Sequence, residues 1–199
     1  MRTIELVELD RRAVDVTVRL VDRIGADDVL RSTPCEGWTV SDLLAHMAIQ
    51  QYGIADAADG MDTDLARWRP VLLTDPAREY RAACDRVLAA FAVPDIGDRH
   101  FLLPEIVAHY PFPAAQAISF HLVDNVVHGW DVAASLGLPV EFDADVLDAA
   151  LAVAEAVPNG PNREQEGAAF APGLTVDDGA DALSRILLLL GRSPNWPNR

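Results

Sequence analysis

Ala114-Ala-Gln-Ala-Ile-Ser-Phe-His-Leu-Val-Asp-Asn-Val-Val-His-Gly-Trp-Asp-Val-Ala-Ala-Ser-Leu136 is almost entirely apolar, yet carries His121, Asp124, His128 and Asp131 at intervals of three and four. At about 100° per residue this spacing predicts a helix with all four side chains in one narrow arc, Asp124 and His128 one turn apart. Gly137 and then Pro139 supply the stop. A helix apolar on nearly every other face belongs inside a protein, so its polar arc is where chemistry is sought.

Working outward, the neighbouring segments are helical too. Leu6, Leu9, Ala13, Val16, Leu20 and Ile24 step by three and four, giving a first helix, with Glu8–Arg12 and Asp15–Arg19 as expected i,i+4 pairs. Thr39 reads as the N-cap of a second helix running to about Gly60, Asp42 serving as the acid of a capping box. Asp75-Pro76 opens a third, with Tyr80, Cys84, Val87, Leu88 and Phe91 as its apolar face. Residues 143–157 and 178–190 read as a fifth and a sixth, separated by a Gly/Pro/Asn-rich loop (158–177) long enough to be functional. No segment reads as a strand. The expected fold is all-α, an antiparallel four-helix bundle with short additional C-terminal helices, spanning residues 1–199 as a single domain.

The second helix carries His46 at the edge of an apolar arc of Val40, Leu43, Met47 and Ile54, with Gly53 two turns on leaving room above the ring. Facing helices in bundles assemble metal sites, and catalytic sites use three protein ligands with a position left open. His46, Asp124 and His128 form such a set. The same stripe also reads as a solvent face with Asp124–His128 a surface ion pair, but it holds no Arg or Glu, which suits a lined cavity better. His121 is a candidate fourth ligand or proton carrier, and the role of mover of protons is the one assigned to it. Gln50, one turn past His46, is a candidate substrate contact. Asp131 is placed either behind a ligand histidine or as a helix cap. Trp38 and Trp130 read as structural anchors, Cys35 as a weak ligand candidate, and His100 and His109 as exposed loop residues.

Composition narrows the function. All sixteen basic residues are Arg, which excludes Schiff-base lysine chemistry and a P-loop lysine. A net charge of −15 argues against nucleic acid or an anionic membrane as partner. Cys35 and Cys84 form no disulfide or metal motif. No segment has the roughly 18 consecutive apolar residues of a membrane span, nor does the start resemble a signal peptide, so a cytoplasmic location is expected.

Two stretches, Thr33-Pro-Cys-Glu-Gly-Trp-Thr-Val-Ser-Asp-Leu-Leu-Ala-His46 and His121-Leu-Val-Asp-Asn-Val-Val-His128-Gly-Trp-Asp131, resemble the signatures of the actinobacterial DinB/YfiT-like superfamily. They resemble most the metal-binding domain of mycothiol-dependent maleylpyruvate isomerases. Leu189-Leu-Gly-Arg-Ser-Pro-Asn-Trp196 is similar to the ends of single-domain members. The resemblance implies a divalent metal, usually zinc, held by His46, Asp124 and His128, and mycothiol as cosubstrate of a transferase or isomerase acting on a small electrophile. The isomerases have Glu at the position of Asp124, whose shorter side chain would draw the ion toward the helix and leaves the choice of metal open. They also carry a second, C-terminal domain that helps form the active site, so maleylpyruvate is not the expected substrate. The rival readings are metal-assisted hydrolysis and a small-molecule-binding or accessory protein of a natural-product pathway. Oligomeric state is left open, a homodimer included.

Overall fold

The spacing of Leu6, Leu9, Ala13, Val14, Leu20 and Val21 produces the first helix, α1 (Thr3–Val21), with all six buried along one side. The structure, a computed structural model, describes residues 1–61, 64–165 and 168–198. Helix α2 (Val40–Ala58) begins as its sequence dictates. Thr39 Oγ1 accepts from the Asp42 amide at 3.2 Å while the Asp42 carboxylate accepts from the Thr39 amide at 2.9 Å. These two bonds satisfy donors that a helix start otherwise leaves orphaned. Helix α3 (Pro76–Phe91) starts at the Asp75-Pro76 signal, and α4 (Ala114–Leu136) ends on Gly137 at φ 67°, a left-handed geometry that suits glycine.

Helix α1 lies along α4 and α2 along α3, with further contacts of α1 with α3 and of α2 with α4. The α1–α4 approach is close at Gly129, where an added Cβ would stand 2.8 Å from Thr17 Oγ1. Thr17 in turn donates across the interface to the Asn125 carbonyl at 3.1 Å. Helices α5 (Ala144–Ala156) and α6 (Ala182–Leu189) pack on each other, and α5 covers α1 and α4. The core forms two clusters, one around Phe91, Phe101, Leu122 and Ile186, the other around Leu43, Leu44, Met47 and Tyr80. Each fully buried Leu or Phe contributes about 1.5–3 kcal/mol relative to exposure.

Three expectations are corrected. Residues 100–113 contain a small antiparallel hairpin, β1 (His100–Leu102) with β2 (Pro111–Pro113), in the register Phe101↔Phe112. Three-residue strands are too short to show an alternation. The ion pairs of α1 also differ. Arg11 takes both Glu8 (2.6 Å) and Asp15 (2.5 Å), freeing Arg12 to reach Asp143 and Asp145 of the α5 start at 2.7 and 2.5 Å. Finally, the space above Gly53 is filled by the Trp68 indole, 2.7 Å from where a Cβ would stand. The 158–177 segment, of which residues 166 and 167 lie outside the described ones, is tied down by Arg163. Its guanidinium donates to the carbonyls of Val157, Pro158, Ala171 and Leu189.

Candidate metal centre

His128 is the hub. It projects from the middle of α4 toward α2, 6% exposed, and its ring meets that of His46 edge-on at 5.1 Å between centroids. Asp124, one turn earlier on α4, places Oδ1 3.4 Å from His128 Nε2. Donor atoms of His46, Asp124 and His128 all lie within 4.8 Å of one another. The polar arc of α4 is thus turned into the bundle, with His46 and Asp124 partly accessible and His128 buried.

The backing of His128 is elaborate. Its Nδ1 donates to Asp131 Oδ2 at 2.8 Å, and Asp131 is itself gripped by Arg192, Nε to Oδ1 and Nη2 to Oδ2 both at 3.0 Å. Burial works against ionisation of Asp131, but Arg192 and the His128 hydrogen bond hold its carboxyl below the ordinary carboxylate range. An ionised Asp131 can only accept, so His128 carries its proton on Nδ1 and turns Nε2 toward Asp124 and His46. Carboxylate–histidine backing of this kind fixes the ring and raises its basicity.

The electrostatics fit a cation. Burial and the neighbouring His128 push His46 down to about 4, leaving a neutral imidazole with a lone pair at neutral pH. At His128, burial opposes the charged ring, yet the Asp124 charge and the Asp131 bond outweigh it and lift the group to about 10. Two carboxylates around two imidazoles therefore hold a proton where a divalent ion would bring more positive charge. The donor set suits zinc-like ions.

A second cluster, Cys35 with His128 and Asp131, lies behind the ring. Cys35 Sγ is 3.5 Å from Asp131 Oδ2 and 3.7 Å from Arg192 Nη2. Arg192 already supplies the positive charge there, so Cys35 is part of the support of Asp131. Trp38 packs its ring 5.0 Å from His46.

His121 is not brought to this site. Seven residues before His128, it is about 10 Å away along the helix axis, 1% exposed, and both its ring nitrogens are engaged. Hydrogen-bond direction can be traced from a fixed point. Asn125 Nδ2 donates to the His121 carbonyl at 2.9 Å, so Asn125 Oδ1 faces Gln51 Nε2 (3.0 Å) and the Tyr80 hydroxyl (3.4 Å). Gln51 Oε1 is then left for His121 Nε2 at 2.7 Å, and that nitrogen must bear a proton. His121 Nδ1 and Asp10 Oδ1 share another across 2.7 Å. Burial raises the Asp10 carboxyl, and Asp10 raises His121 despite its burial, so the pair keeps its proton. A role for His121 as proton carrier at the ion is therefore withdrawn.

Gln50 does lie one turn beyond His46, but its Nε2 is bound to Glu105 Oε2 at 2.6 Å. Glu105, Arg192, Asp10 and Gln51 escape sequence reading. Only Asp10 left a usable signal, an acid at a buried position beside Leu6, Leu9 and Ala13 on the apolar side of α1.

Comparison with known proteins adds identity to this geometry. Two uncharacterized proteins of Mycobacterium tuberculosis, MT0763 from strain CDC 1551 and Rv0738 from strain H37Rv, are each 28% identical over 169 residues, 81% of this chain and 83% of theirs. The crystal structure of the mycothiol-dependent maleylpyruvate isomerase superposes with a TM-score of 0.61 at 17% identity, covering 78% of this chain and 69% of that one. A mutant form of it matches equally at 16% identity. At that distance the likeness is one of fold. The sequence pattern described as the mycothiol maleylpyruvate isomerase N-terminal domain matches residues 11–133, from the middle of α1 through His128 and Asp131 on α4. More than half the chain and the whole histidine–carboxylate cluster lie within that match, and the chain belongs to that family.

Proposed function

We propose that this chain is a metal-dependent enzyme, with zinc the expected ion, that uses a low-molecular-weight thiol such as mycothiol in a transfer or isomerisation of a small electrophile. The observation that carries the reading is the convergence of His46, Asp124 and His128 donor atoms within 4.8 Å. Two imidazoles and one carboxylate leave a coordination position open, as catalytic rather than closed structural sites do. A divalent cation bound there supplies Lewis acidity and lowers the pKa of a thiol or water. The chain's residues do the rest. Asp131 and Arg192 lock the His128 ring, Trp38 shields one side of His46, and Asp124 sits on the accessible side where a ligand enters. The thiol half of the proposal is supported by family membership and by the mycothiol dependence named for the isomerase that shares the fold.

Elemental analysis of purified protein tests the first half. About one zinc per chain is expected, and none in His128→Ala. A thermal shift on adding mycothiol, seen only with loaded protein, tests the second half. A loaded protein indifferent to thiols but active on esters or amides would favour hydrolysis instead. Full activity without metal would sink the proposal.

A further inference from the structure

An anionic substrate in this site would need an arginine, and Arg81 and Arg163 are two of the sixteen in the chain. Neither serves. Arg81 pairs with Asp22 on the surface, and Arg163 is consumed by four backbone carbonyls. Arg192 is the guanidinium whose charge reaches His46, but it lies behind His128, bound through both Nε and Nη2 to Asp131.

One turn along α2 from His46, a carboxylate is held in place. Gln50 leaves α2 on the same face as His46, one turn on, and its amide holds the Glu105 carboxyl at 2.6 Å. Glu105 sits in the segment joining β1 to β2, and among the described residues no arginine pairs with it. Its carboxyl is raised by partial burial and by the charge of Asp124, the Gln50 bond opposing this. The same segment presents Ile106, Val107 and Tyr110, each about half exposed at 52%, 49% and 49%. Asp124 and Glu105 together balance the charge of a divalent ion, so an added thiolate already makes the centre negative. Among the described residues, Arg81, Arg163 and Arg192 are all engaged elsewhere and leave no guanidinium of theirs for a substrate carboxylate.

We propose that Glu105, oriented by Gln50, is a specificity-determining residue that selects uncharged or cationic thiols and electrophiles and rejects carboxylates. The proposal rests on the His46–Asp124–His128 centre being where such molecules bind. One added like charge at a site of this kind costs roughly five- to tenfold in affinity.

The test uses the whole chain loaded with cobalt(II) and three small thiols that differ mainly in charge: cysteamine, mercaptoethanol and mercaptopropionate. Sulfur-to-cobalt charge-transfer absorbance reports binding. Because the thiols differ in basicity, the deciding quantity is how each affinity changes in Glu105→Gln, which keeps an oxygen for Gln50 and removes the charge. Mercaptopropionate is expected to gain roughly five- to tenfold, mercaptoethanol to stay within about twofold, and cysteamine to lose several-fold. If the three affinities move together, or none moves, the specificity proposal is overturned while the metal centre stands. A protein that takes up no cobalt overturns the metal reading and this proposal with it. One that takes up cobalt but shows no band with any thiol overturns the thiol reading and this proposal while the metal centre stands.

Discussion

Helix α4 carries two histidines that began as one pattern and ended in different roles. His128 has one nitrogen committed to Asp131 and the other turned toward Asp124 and His46, with an accessible side. His121 has both nitrogens committed, to Asp10 and Gln51, within a network that also ties in Asn125 and Tyr80. The first arrangement leaves a nitrogen whose proton an ion can displace, and the second leaves none. Chemistry at a histidine depends on which of its nitrogens the fold has already spent.

The contrast is broken most forcefully at His121. His121→Ala leaves Asp10 buried beside an unpaired network, and removal of one partner of a buried pair costs about 3–5 kcal/mol. Calorimetric unfolding should show a large fall in Tm, while any folded fraction still binds metal at His128. His128→Ala should do the opposite, abolishing metal binding while the Asp10–His121 network and the Asp131–Arg192 pair stay in place. If the two variants traded phenotypes, the division of roles drawn here would be wrong.

The backing of His128 comes next. Asp131→Asn keeps a group within reach of Nδ1 but removes the charge, and loss of such support lowers metal affinity roughly 10- to 100-fold. Competition with a chelator of known affinity measures it. An unchanged affinity would make Asp131 a merely structural anchor for the Arg192 tail.

Proton linkage sharpens the comparison in the metal-free protein. His128, raised to about 10 from 6.5, binds more protons folded than unfolded between those values. Its stabilisation is therefore complete below 6.5 and is lost as pH rises through 10. His46, lowered to about 4, binds fewer protons folded than unfolded between 4 and 6.5, so its stabilisation is present above 6.5 and lost as pH falls through 4. Urea midpoints of apo protein should peak near neutrality, and His46→Ala should flatten the acidic limb while leaving the alkaline one.

The smallest effect expected is at the capping box. Thr39→Ala removes the side-chain bond to the Asp42 amide and should cost about 1 kcal/mol. Because α2 carries both His46 and Gln51, urea unfolding and metal titration together would show whether fraying of its first turn reaches one centre, both or neither.

Much of this molecule is legible in its residues. The four main helices follow from three-and-four spacing, and their ends from Thr39, Asp42, Pro76 and Gly137, because caps and turns act within a few residues. The grouping of Asp124 with His128 is equally local, one turn of one helix. What spacing cannot give is depth along the axis and the partner opposite. His121 and His128 share an arc, but about 10 Å of rise separates them, and only the packing of α1 against α4 brings Asp10 to the first. The tail that delivers Arg192 to Asp131, and the hairpin segment that delivers Glu105 to Gln50, span 61 and 55 residues of separation. Sequence sets the faces through backbone periodicity. Tertiary packing decides which faces meet, and so which histidine keeps a free nitrogen.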